Sequence, residues 1–131
     1  MAAGSVSMVL FRDTTFSLED VHDALLDNDF SILRQEDMLA VWLEGGPMLF
    51  VTLVTGDVVP EEAIDTAQDT PHAIELSQCG SRIDIIFDDL EEVRRDVDTL
   101  VEVQTILQDV TQGFVFNTWN CKLAPPPSLG Q

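Results

Sequence analysis

One stretch limits the fold of this chain more than any other. From residue 89 to 111, Leu90, Val93, Val97, Leu100, Val101, Gln104 and Leu107 return at spacings of three and four, the period of a single helical stripe. Glu91, Arg94, Arg95, Asp98, Glu102 and Asp109 fall on the opposite side. Val103, Ile106 and Val110 add a second apolar patch, so the C-terminal half is expected to be the more deeply buried. Valine is a poor helix former, but the period and the length outweigh propensity. Gly113 is the expected stop.

Around this helix the apolar runs are short. "SVSMVLF" (5–11) reads as a strand, and "FSILRQ" (30–35), "MLAVWLE" (38–44) and "MLFVTLV" (48–54) read as three more, joined by the short turns "ED" and "GGP". The last of these is apolar on both faces, as expected of a central strand covered on each side or of one meeting a partner. "RIDIIF" (82–87) places Ile83, Ile85 and Phe87 on one face and Arg82 and Asp84 on the other. "FVFNTWN" (114–120) closes the series.

Two further helices are expected. Ser17 is a good N-cap, with Asp20 three residues on as a weaker version of the capping box, and Leu18, Val21, Leu25 and Leu26 form the buried stripe behind it. Pro60, followed by Glu61 and Glu62, starts the second. These elements predict an α+β fold in the order β-α-β-β-β-α-β-α-β, with a mainly antiparallel sheet and helices packed on it. Residues 1–123 form one domain and 124–131, "APPPSLGQ", a Pro-rich tail. At 131 residues the chain can bury a proper core without disulfides or metals.

Charge bears on partners rather than on fold. Twenty-four acids face six bases, for a net charge of −18, and Lys122 is the sole lysine. Nucleic acid and anionic membranes need Lys and Arg to neutralise phosphate, so both are excluded as expected partners, whereas a basic protein is favoured. Two other origins of the acidity compete: a high-salt setting, since Asp outnumbers Glu fifteen to nine, and a genome composition that depletes lysine. The N-terminus lacks a basic stretch ahead of a long apolar run, and no apolar run is long enough to span a bilayer, so a cytoplasmic location is expected. Cys79 and Cys121 have no CxxC spacing and are expected to be reduced, although their pairing is not readable from sequence.

No chemical motif stands out. The acid-rich "FDDLEEVRRDVD" (87–98) has no Gly turn and no EF-hand spacing; it is accounted for as a helix opening, with acids at the positive end and i,i+3 or i,i+4 pairs behind. His72, Glu75 and Cys79 share a face only if 72–79 is helical, and the fourth zinc ligand would have to be the distant Cys121. His22 sits among acids on the polar side of its helix and reads as a solvated residue. There is no nucleophile elbow or phosphate-binding glycine loop, and neither cysteine has a basic setting. No catalytic residue, cofactor or metal is therefore expected.

The expected function is that of a non-enzymatic binding protein for a basic partner, in its most concrete form an immunity protein or an inhibitor of a cationic toxin. The likeness to immunity proteins is one of size and charge, with no family motif. The expected contacts are Glu19, Asp20, Asp23 and Asp27 on the first helix and Glu91, Glu92, Asp98, Glu102 and Asp109 on the long one. Trp42 and Trp119, each on a half-polar strand, are the aromatic anchors if exposed. The alternatives are a homodimer whose acidity serves solubility, joined through the twice-apolar strand or the patch at Val103, Ile106 and Val110, and a small-ligand binder or enzyme with a pocket at His72, Glu75 or Cys79.

Overall fold

A computed structural model describes residues 5–12, 15–45, 47–55, 78–87, 97–117 and 122–124. Its elements are β1 (Ser5–Phe11), α1 (Leu18–Leu26), β2 (Ser31–Gln35), β3 (Met38–Trp42), β4 (Leu49–Thr55), β5 (Ser81–Phe87), α2 (Val97–Thr111), β6 (Phe114–Asn117) and β7 (Lys122–Ala124). The fold is α+β. The seven strands form one sheet in the order β2-β3-β4-β5-β1-β6-β7, and every pairing is antiparallel. The segment from β2 to β5 is a meander in sequence order, after which β1 is inserted between β5 and β6.

Register divides the side chains cleanly. Leu39 opposes Val51, Val51 opposes Ile85, and Val9 opposes both Ile83 and Val115, so these residues share one face. Both helices cover that face: Val21 and Leu25 of α1 and Leu100, Val103, Ile106 and Leu107 of α2 join it in one continuous core. Helix α2 packs on β1 and β6, α1 packs on β2, and the two helices touch each other. The other face carries Met8, Leu10, Phe50, Ile86, Phe114 and Phe116. Within it lies the Arg82–Asp84 ion pair, 2.7 Å between Nε and Oδ1, with both side chains mostly buried.

Several expectations are corrected. The strand β7 has no counterpart in the sequence pattern, and Ala124, assigned to the tail, pairs with Val115. Val101, placed in the buried stripe, is 47% exposed, and Leu26 and Val110 are likewise open at 53% and 46%. The buried arc of α2 is centred on Leu100, Val103 and Leu107 and runs toward Thr99 and Ile106, which turns Val101 outward. Val103 and Ile106 belong to the core, so the patch offered as a dimer seam reduces to Val110. Gly113 is not the left-handed helix stop; Gln112 takes that conformation at φ 54°. Gly113 is required for another reason, because a Cβ there would lie 2.6 Å from the Leu10 carbonyl oxygen. The expected helix after Pro60 and the start of the long helix at 89–96 lie outside the described residues.

Candidate functional site

The acids of α1 have differing local engagements. Ser17 Oγ accepts from the Asp20 backbone N–H, and the Asp20 carboxylate accepts from the Ser17 N–H at 2.9 Å and from its hydroxyl at 3.1 Å. Asp20 therefore caps the helix and has little freedom to meet a partner. Glu19 pairs with Arg34 of β2. His22 Nδ1 lies 3.2 Å from Asp23 Oδ1, and the ligand atoms of Glu19, His22 and Asp23 fall within 4.8 Å of one another. The sequence places His22 among acids on the polar side of this helix, and the structure brings Glu19 and Asp23 to it in one cluster at i, i+3, i+4 spacing. All of it is at least partly solvent-exposed, and Arg34 already neutralises Glu19. Asp27 follows the last turn as the C-cap.

The acids of α2 are simpler. Asp98, Glu102 and Asp109 are exposed and have no ion pair among the described residues. Steps of four and seven residues return to nearly the same azimuth, within about 40° on a 3.6-residue helix, so the three form one stripe. Asp98 and Glu102 repel at i,i+4, at a cost of about 0.2–0.5 kcal/mol. Asp109 stands in the last turn, where a negative charge opposes the helix dipole by about 0.3–1 kcal/mol. Neither helix has a basic residue in its last turn.

Beside this stripe lies an open hollow of about 310 Å³. Its lining mixes two apolar residues, Ile106 and Val110, with Thr105 and Gln108 along the helix and Asn28 from the turn after α1. Glu102 and Asp109 stand in its lining. Asn28 is held in place by its amide, which donates to the Ala24 carbonyl at 2.8 Å. Gln108 donates to the Gly113 and Ala124 carbonyls, so it ties α2 to the ends of β6 and β7 rather than facing a ligand alone.

Deeper in the same layer, Gln104 Nε2 donates to Ser7 Oγ at 2.8 Å and to Asn117 Oδ1 at 2.9 Å, while Ser7 donates to the same Asn117 oxygen. These bonds position α2 over β1 and β6. Trp42 is half-buried on the sheet face away from the helices, beside Met38 and Ala40, and so is separate from the acidic stripe. Cys79 is buried, and desolvation raises its thiol pKa to about 11 against the partial opposition of Arg12. Glu91, Glu92, Trp119, His72, Glu75 and Cys121 lie outside the described residues. Among the described residues no helix is long and apolar enough to cross a membrane.

Nothing in the sequence pattern announces the hollow itself. No protein-family model, curated protein or solved structure matches this chain.

Proposed function

We propose that this protein is a non-catalytic binding protein that engages a basic protein partner through its helical layer, and that its most specific form is an inhibitor or immunity-type protein. One observation supports the reading: α1 and α2 pack side by side on one sheet face and carry several exposed acids, although Arg94 and Arg95 fall on the same polar side of the long helical stripe in the sequence. The outward side of that layer holds Glu19, Asp23, Asp98, Glu102 and Asp109, with Arg34 the cation set against it among the described residues. Such a field speeds encounter with a cationic protein, and apolar contacts then slow its release. Affinity capture from native lysate at low and near-molar salt tests this. A basic protein retained at low salt and released at high salt is the expected outcome; recovery of the bait alone would remove the reading.

A second reading, self-association, is favoured by Leu33, 51% exposed on the edge strand β2. An edge strand offers unpaired backbone groups to another strand, and an exposed leucine adds apolar area. Light scattering over a concentration series distinguishes the two: a dimer that persists on dilution and dissociates in Leu33→Lys supports the second.

A further inference from the structure

The two edges of the sheet differ. Strand β7 is three residues long, whereas β2 has five and pairs with β3 along all of them. A short edge strand, a proline or a bulge discourages a sheet from taking on another strand, and β2 has none of these. Ser31, Leu33, Arg34 and Gln35 are exposed along it, so this edge is open to solvent.

The hairpin register determines which backbone groups point out of that edge. Gln35 pairs with Met38 across the two-residue turn of Glu36 and Asp37, which makes them the hydrogen-bonded pair that closes the hairpin. Alternation then turns the N–H and C=O of Ser31, Leu33 and Gln35 toward β3, and those of Ile32 and Arg34 outward. Among the described residues no turn or cap takes up these outward groups. They flank Leu33 symmetrically. An unrelated strand would have to match that pattern with a sequence of its own, but a second, antiparallel copy of β2 matches it by symmetry. Ile32 of one copy then meets Arg34 of the other and exchanges both backbone bonds with it. Between these pairs Leu33 meets Leu33 of the second copy, with Cα atoms about 4.5 Å apart.

Side chains and charge suit the same pairing. Leu33 is 51% exposed, and its neighbour directly across on β3 is the small Ala40. Met38 and Trp42, diagonal to it on that face, are half-buried. A second Leu33 supplies the apolar contact that Ala40 is too short to give. In a chain with twenty-four acids β2 contains none, and its one charge, Arg34, is matched by Glu19 of its own copy. Repulsion comes from the ends, where Asp29 of one copy approaches Glu36 and Asp37 of the other, and salt screens it.

Resting on the self-association reading, we propose that two copies join edge to edge through β2, antiparallel about a two-fold axis at Leu33, so that their sheets become one. The contact leaves the helical layer of each copy free for a different partner.

The test uses the full chain. Wild type is followed by sedimentation velocity over a concentration series at low and at near-molar salt. Leu33→Cys and Gln35→Cys, exposed and on the same sheet face, are then compared under a mild oxidant, with wild type as the control for its own thiols. Two cysteines at 33 fall within disulfide reach, whereas two at 35 stand roughly 13 Å apart and do not. The proposal expects a dimer that tightens with salt, and at least about fivefold more covalent dimer from Leu33→Cys than from Gln35→Cys. It also expects the amides of Ile32 and Arg34 to gain exchange protection as concentration rises. A wild-type dimer with equal cross-linking at the two positions, or one that loosens with salt, would overturn this pairing while leaving self-association in place. If wild type stays monomeric at every concentration in both salts, the pairing and the self-association reading fall together.

Discussion

Ser17 and Asp20 illustrate how far a residue's role can be read before any fold is known. A capping box needs only three residues of local chain, and the reciprocal bonds between Ser17 and Asp20 are those the spacing implies. Ser17→Ala should lower unfolding free energy by about 1 kcal/mol in urea denaturation, within the usual range for a lost cap. Cys79 is not readable in this way, because its burial depends on contacts made far along the chain. Its thiol is raised to about 11 by desolvation, whereas an unfolded thiol has an ordinary value near 9.0. Below that ordinary value both states are protonated and the group adds no pH dependence. Between the two values the unfolded chain loses the proton and the folded chain keeps it, so stability should fall as pH rises through this window. Cys79→Ala should flatten the alkaline decline in a pH series of unfolding midpoints, and an unchanged slope would contradict this assignment. The trio Ser7, Gln104 and Asn117 is equally non-local: Gln104 is visible as a polar break in an apolar stripe, but its partners, 97 and 13 residues away, are not.

Elements are legible wherever a period extends beyond a few residues. Alternation locates β1 to β5 within a residue or two, since a two-residue period with a buried face fixes which side chains point inward. The rotation of α2 is less well determined. Spacings of three and four accept either Leu100, Val103 and Leu107 or Leu100, Val101 and Gln104 as the inward arc, and only packing against α1, β1 and β6 selects the first. The three-residue β7 carries too little pattern to be seen, and is held in part by Gln108 reaching the Ala124 carbonyl. The α2–β6 turn shows how one signal can mislead. A glycine after a helix suggests a left-handed cap, yet Gln112 has φ 54° and Gly113 instead lets the chain pass the Leu10 carbonyl. Gly113→Ala should therefore destabilise by about 1–3 kcal/mol through overpacking, measured as a lower denaturation midpoint. Gln112→Gly should be neutral or mildly stabilising by the same measurement, because glycine tolerates positive φ.

At the scale of the whole molecule, strand order cannot be derived from sequence, because inserting β1 between β5 and β6 joins segments separated by most of the chain. The charge of −18 is plain in the sequence, but its distribution is not. Glu19, Asp20 and Asp98 stand in first turns, where a negative charge suits the helix dipole, whereas Asp109 stands in a last turn, where it opposes it. Asp109→Asn should raise unfolding free energy by about 0.3–1 kcal/mol, the size of the unfavourable dipole interaction that it removes. High-salt adaptation would also place acids on the surface, and any amphipathic helix gathers them on its solvent side, so the stripe alone does not separate that origin from a partner. The most direct test is capture from native lysate at low salt by wild type and by Asp98→Asn, Glu102→Gln, Asp109→Asn combined in one chain. A basic protein held by wild type and reduced at least about tenfold on the variant is the expected result. Equal retention by both proteins, or no basic protein on either, would contradict the claim that these acids serve a partner.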